Sequence, residues 1–170
     1  MRRSIIALVV GIALVAAACS SASESSSDAA PPDGYPAPTA SFVMFDGSTA
    51  TLADYEGRPV VVNFWASWCP SCVAEMSAAL KPAQERLGDQ VAFLGLNLQD
   101  EREEALRLVD ETGVLFDLGE DRLGDVYLEF GGLGMPFTAF IDAEGNVIKD
   151  HNGPFTEQQL VELIEETLLP

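Results

Sequence analysis

Two stretches of this chain are apolar almost without a break. Val60 to Trp65 is interrupted only by Asn63, and Val91 to Leu98 runs nearly unbroken to Asn97. A strand with one wet face alternates, so unbroken runs of this kind predict strands covered on both faces. Around them the pattern changes period. Ser41 to Phe45, the turn signal Asp46-Gly47 and Thr49 to Leu52 predict a hairpin, and Leu52 to Tyr55 one helical turn before Gly57. Val73 to Leu87 predicts a helix ended by Gly88. Glu101 to Glu111 predicts an amphipathic helix with Leu106 and Val109 on its apolar face, stopped by Gly113. A short helix is expected from Arg122 to Glu129. Phe137 to Asp142, the turn Glu144-Gly145-Asn146 and Val147 to Asp150 predict a second hairpin. Thr156 opens the last helix with Gln159 as its capping-box partner, and Leu160, Leu163, Ile164 and Leu168 form its stripe.

The order β-β-β-α-β-α-(α)-β-β-α predicts an α/β fold. Its central sheet is expected to be mixed but mainly parallel, with helices on both faces and an N-terminal β-hairpin extension. No internal repeat is visible.

The N-terminus has another character. Arg2 and Arg3 precede an uncharged apolar run from Ile5 to Ala18, about 14 residues, which suits an export signal and is short for a spanning helix. Residues 1–18 are therefore read as a signal peptide. Ser20 to Pro38 holds mainly Ser, Ala, Pro, Asp and Glu, too little apolar bulk to offset ordering entropy, so residues 19–38 are read as a disordered tether. Residues 39–170 then make one domain. The formal net charge is −18, or −20 once Arg2 and Arg3 leave with the signal. That balance argues against nucleic acid and against an anionic lipid surface as partners.

The candidate chemistry lies where the first buried strand ends, in Trp65-Ala66-Ser67-Trp68-Cys69-Pro70-Ser71-Cys72. The chain has three cysteines. Two of them stand at the start of a predicted helix, where unpaired N–H groups and the helix dipole favour a thiolate. Cys72 follows Cys69 by almost one turn, so both sulfurs face one side. Pro70 suits the first helical turn, where its missing N–H costs nothing. This arrangement predicts thiol–disulfide exchange with Cys69 as exposed nucleophile and Cys72 as the more buried resolving thiol. The alternatives are a zinc half-site or inert core cysteines. Zinc normally takes four ligands, and only His151 and Cys19 remain to complete a set, so no metal is expected. His151, the single histidine, reads as a surface or edge residue.

Phe64-Trp65-Ala66-x-Trp68-Cys69-Pro70-Ser71-Cys72-x-x-Glu75-Met76 resembles the thioredoxin-like fold, and within it the exported TlpA/ResA branch of thiol–disulfide oxidoreductases. Gly134-Met135-Pro136-Phe137-Thr138 resembles that family's cis-proline segment, and Phe45-Asp46-Gly47 with Leu52 to Val60 its N-terminal extension. The resemblance spans roughly Pro38 to Leu169. It implies that Pro136 is cis and faces the cysteines, leaving the Met135 backbone to pair with an extended substrate beside Trp68, Pro70 and Ser71. It implies that Glu75, three residues after Cys72, takes the resolving thiol's proton if burial raises its pKa; a solvent-facing helix glutamate is the alternative. Thioredoxin's buried aspartate is replaced by Asn63, and its nearby lysine is absent at Gly95. The family's helix-kinking proline at the position of Ser77 is missing, and a proline comes later, at Pro82. Copper-delivery relatives use a wider cysteine spacing with a histidine, and peroxiredoxins a single peroxidatic cysteine; neither pattern is present.

Ala16-Ala17-Ala18-Cys19 resembles a lipoprotein processing site, with Ala16 where leucine is usual. This implies lipid on Cys19, the alternatives being ordinary cleavage or a retained anchor. If Cys19 carries lipid, Cys69 and Cys72 are the only thiols left to pair. The expectation is a redox-active disulfide without further cofactor, tethered at the outer face of the cytoplasmic membrane, or secreted or periplasmic without lipid. Its partners would be protein thiols and disulfides, such as apocytochrome c or a copper-assembly protein, and a membrane dithiol donor or acceptor. A reductase is favoured, with a disulfide-forming oxidase as first rival and a non-catalytic metal-binding or redox-sensing module as second.

Overall fold

The computed structural model describes residues 34–169. The expected signal peptide, Cys19 and the expected tether as far as Asp33 lie outside the described residues. Strands β1 (Tyr35–Pro36), β2 (Phe42–Met44), β3 (Thr49–Ala50), β4 (Val60–Trp65), β5 (Ala92–Leu98), β6 (Asp117–Asp121), β7 (Phe137–Ile141) and β8 (Asn146–Asn152) pair in the order β1-β8-β7-β4-β5-β6-β2-β3. The helices are α1 (Pro70–Glu75), α2 (Lys81–Leu87), α3 (Arg102–Thr112), α4 (Asp125–Glu129) and α5 (Glu157–Leu168). A π-helical stretch, Met76–Leu80, joins α1 to α2, and a 3-10 turn, Leu52–Tyr55, precedes β4.

Strands β4 and β5 are buried along their whole length, as their unbroken apolar runs require. Val61, Trp65, Phe93 and Phe140 face one layer, where they meet Met76, Leu80, Leu108, Leu160 and Ile164 of the helices. Val60, Val62, Phe64, Leu94 and Leu96 face the other, against Leu52, Val126 and Phe130. Phe64 centres an aromatic cluster there, 5.3 Å from Tyr127, 5.6 Å from Phe130 and 5.8 Å from Phe137 between ring centroids. That cluster seats α4.

Several expectations need correction. The sheet is mixed, but parallel pairing is confined to β4–β5 and β5–β6; β7 runs antiparallel to β4. The five-residue α4 spans about 8 Å, against about 17 Å for a five-residue strand, so the helix itself does not carry the chain back along the sheet. The chain instead enters β7 at the end where β4 finishes, which brings residue 136 beside the cysteine loop. Strand β6 was not expected, because Asp117-Leu-Gly-Glu-Asp carries no strand signal. Its Glu120 is buried but paired to both Arg102 and Arg122, and its buried Asp121 accepts from the Tyr127 N–H at 2.8 Å. Residues 35–38, assigned by sequence to the tether, belong with the sheet. Tyr35 and Pro36 pair with Val147 and Asn146, the Ala37 N–H bonds to Gly145 O at 2.9 Å, and Pro38 is buried. On α3 the buried face is Ala105 and Leu108, and Leu106 is exposed; alanine lets the helix close onto the sheet where bulk suggested otherwise.

The π-helical stretch follows from Pro82. Proline offers no N–H to the Ala78 carbonyl, so the helical ladder is interrupted there, and the Lys81 N–H reaches back five residues to Met76 O. At α5 the Thr156–Gln159 capping box forms as expected.

Gly95 on β5 leaves the space that Trp65 fills. A Cβ there would meet Leu118 Cδ2 at 2.9 Å and both Phe116 Cε2 and Trp65 Nε1 at 3.0 Å. Gly95→Ala is therefore expected to cost about 1–3 kcal/mol through overpacking. The check is a fall of about 5 °C in the midpoint of thermal unfolding; an unchanged midpoint would show that Trp65 is free to move.

Candidate active site

Cys69 and Cys72 are joined as a disulfide with Cα atoms 5.3 Å apart. The strand β4 delivers the loop Ala66–Trp68, and Cys69 caps α1: its sulfur accepts from the Cys72 N–H at 3.2 Å, and its carbonyl from the Val73 N–H at 3.1 Å. Pro70 occupies the first helical turn. The Ser71 hydroxyl lies 3.5 Å from the Cys69 sulfur. Cys69 is 6 % exposed and Cys72 fully buried; Cys69, expected to be exposed, shows only an edge.

The loop before Cys69 is fastened by Asp100, a residue no motif singled out. Its carboxylate accepts from the Ser67 N–H at 2.5 Å, the Ser67 hydroxyl at 2.7 Å, Asn97 Nδ2 at 2.9 Å and the Glu101 N–H at 2.8 Å. Burial pushes its pKa up, but these bonds outweigh burial and hold the group below the usual carboxylate range. Next to it, Gln99 has φ +47°, and its carbonyl accepts from Trp68 Nε1 at 3.2 Å. The Trp68 ring is thereby held across the surface, largely exposed.

Glu75 lies three residues after Cys72 on the buried face of α1 and is itself buried, not solvent-facing. Its two oxygens accept from the Phe155 N–H at 2.7 Å and from Asn63 Nδ2 at 3.2 Å. Asn63 also donates to Thr138 Oγ1 at 3.0 Å, its neighbour across β4 and β7. Burial raises the Glu75 pKa to about 7, against the opposing pull of the two hydrogen bonds. His151 is an edge residue on β8, opposite Thr138, with its ring 4.2 Å from that of Phe155. Burial and Lys149 lower its pKa.

The Met135–Pro136 bond is cis. Trp68, Cys69 and Pro70 on one side, with Leu98, Tyr127, Gly134 and Met135 on the other, line an apolar groove of about 390 Å³. Tyr127 supports its far wall, donating its hydroxyl to Gly134 O at 3.0 Å. Sequence reading missed Tyr127 as it missed Asp100, because both act through tertiary neighbours. Among the described residues no cluster of His, Cys, Asp and Glu suits a metal ion, and no helix is long and apolar enough to cross a membrane.

An accessible edge of one sulfur, a sealed second sulfur and a buried carboxyl titrating near neutrality form a constellation for thiol–disulfide exchange. Comparison with known proteins agrees. The Redoxin family matches residues 32–166. The thiol-disulfide oxidoreductase ResA of Halalkalibacterium halodurans is 32 % identical over 126 residues, covering 73 % of this chain and 72 % of that protein. The thiol:disulfide interchange protein DsbE of Pseudomonas fluorescens is 39 % identical over 103 residues, 60 % of this chain and 55 % of the relative. The structure of MTB DsbF in its mixed oxidised and reduced forms aligns with a TM-score of 0.70 at 27 % identity, covering 76 % of this chain and 98 % of that one. With its mixed sheet flanked by helices in the thioredoxin-like arrangement, the chain belongs to the Redoxin family and is a thiol–disulfide oxidoreductase of ResA/DsbE type.

Proposed function

We propose that this oxidoreductase works as a reductase of protein disulfides outside the cytoplasm, held at the membrane by lipid on Cys19. Cys69 is the nucleophile. Its thiolate attacks a partner disulfide, forms a Cys69–partner disulfide and expels one partner thiolate. Cys72 then gives its proton to the Glu75 carboxylate and attacks the Cys69 sulfur. The Cys69–Cys72 disulfide forms, the second partner thiolate leaves, and two electrons have passed to the partner. A membrane dithiol returns the pair to the reduced state. Pro136 and the Met135 backbone receive the substrate segment, with Trp68, Pro70 and Ser71 forming the opposite wall.

The observation that carries the direction is the company kept by the sulfurs. Among the described residues no Lys, Arg or His lines the groove, and an acid stands one turn behind Cys72. Strong oxidants owe their potential to a stabilised reduced form. A site with no cation, backed by a carboxylate, gives the thiolate little such help. Apocytochrome c haem-site cysteines and copper-assembly proteins are substrates of the required kind.

Equilibration of the Cys69–Cys72 couple in glutathione or dithiothreitol buffers, read by Trp68 fluorescence, tests this. A potential near or below about −220 mV is expected. A value near about −120 mV would make the protein a disulfide-forming oxidase.

A further inference from the structure

We propose that the surface around Cys69 selects a polypeptide segment that is apolar beside its own cysteine and basic in its flanks. This rests on the thiol–disulfide reading and narrows its substrate class.

Among the described residues, seven large hydrophobic side chains are exposed; Trp68 lines the groove, and Leu123, Leu128 and Leu133 adjoin in the chain residues that line or support it. Leu133 is 93 % exposed, Leu123 76 %, Leu128 68 % and Trp68 59 %. Their placement follows from contacts already described. Leu133 stands between Gly132 and Gly134, just before the cis bond. Leu128 follows Tyr127, whose hydroxyl holds Gly134. Leu123 offers its carbonyl to Gln99 Nε2 at 3.4 Å, and Gln99 in turn holds Trp68. Apolar bulk concentrated beside a reactive sulfur marks an interaction surface, whereas scattered leucines would not.

Charge identifies the occupant. The exposed Asp125 is three residues from Leu128 on α4, on the same side of the helix, and the exposed Glu101 follows the turn that anchors Trp68. The two nearby cations, Arg102 and Arg122, are both tied to Glu120. Glu120 offsets one of these two arginines, and Glu101, Asp121 and Asp125 outweigh the other, so the rim is net acidic. A second copy of this chain would bring the same acids together on molecules of net charge −18, and an anionic membrane would be repelled likewise. A basic polypeptide is attracted. Its apolar residues cover the leucines, and its main chain lies along Met135, whose N–H and C=O have no backbone partner among the described residues.

The test uses the full chain in reduced form and three disulfides: a cyclic peptide with Leu beside each cysteine and Lys flanks, the same peptide with Ser and Glu at those positions, and hydroxyethyl disulfide. The Leu/Lys peptide is expected to react about tenfold faster than the Ser/Glu peptide, less so at high salt. Leu123→Ser, Leu128→Ser and Leu133→Ser should each slow the Leu/Lys peptide about threefold to tenfold and leave hydroxyethyl disulfide unchanged. Equal rates on the two peptides would overturn the proposal, as would equal slowing of the small disulfide. Leucine variants that alter only sedimentation would assign the surface to a second copy and overturn it too. Loss of the thiol–disulfide reading itself looks different: unaltered protein would then fail on hydroxyethyl disulfide.

Discussion

Cys72→Ser is expected to arrest the protein on its substrate as a covalent adduct through Cys69, with multiple turnover reduced by about 10³-fold or more. The asymmetry comes from packing. Cys72 is sealed on the buried face of α1, whereas an edge of Cys69 opens on the groove, so one sulfur alone can meet an incoming disulfide. Without Cys72 nothing resolves the mixed disulfide, and the adduct persists. Cys69→Ser removes the accessible sulfur and should give neither turnover nor adduct. Mass spectrometry under non-reducing conditions reads both variants with a cyclic disulfide peptide. Adduct formation at Cys72 in Cys69→Ser, in yield matching the converse variant, would assign the nucleophile to the wrong sulfur. A metal-binding or sensing module would trap nothing in either case.

Glu75→Gln is expected to slow the resolving step by about 10²-fold and to remove its pH dependence near neutrality. On the proposed mechanism that step is expected to accelerate in the unaltered protein as pH rises through about 7, the pKa of Glu75, because the carboxylate must be ionised to accept the Cys72 proton. The amide cannot accept it. Stability moves in the opposite sense. The folded pKa of about 7 lies above the ordinary glutamate value of 4.5, so the folded state holds the extra proton between those values. That contribution is fully present below about pH 4.5 and lost as pH rises through 7. It amounts to about 3 kcal/mol, which the ionised form costs the fold above neutrality. Denaturant titrations should therefore show Glu75→Gln gaining on the unaltered protein from pH 4 to pH 8. The amide can be accommodated, since the buried Asn63 Oδ1 has no partner and a flipped Asn63 amide can accept from it. Parallel pH profiles for both proteins would show that Glu75 does not titrate in this range.

Particular elements show why some features were legible in sequence and others were not. Strands β4 and β5 announced themselves because full burial on both faces demands an unbroken apolar run, and Thr156 with Gln159 announced α5 because a cap is made within four residues. Strand β6 stayed hidden. Its Glu120 and Asp121 are buried because Arg102, Arg122 and the Tyr127 N–H meet them; Arg122 is close in the chain, but Arg102 stands 18 residues from Glu120 and Tyr127 six from Asp121. Leu106 misled for the converse reason, since hydrophobic bulk says nothing of the rotation that brings Ala105 and Leu108 inward.

The site divides in the same way. Cys69, Cys72, Pro70 and the spacing to Glu75 are local, and a strand running into a helix puts them at its N-terminus by geometry alone. That much the amino-acid sequence determined, together with the polar N-terminal stretch and the acidic balance. The pKa of Glu75 depends on burial and on hydrogen bonds from Asn63 and Phe155, which stand 12 and 80 residues away in the chain. The Cys69 loop depends on Asp100, and the groove on Tyr127 and on β7 entering antiparallel beside β4. Desolvation and long-range hydrogen bonds arise only when distant segments pack, so only the tertiary structure decided which sulfur keeps an open edge, how far Glu75 is buried and which side chains wall the groove.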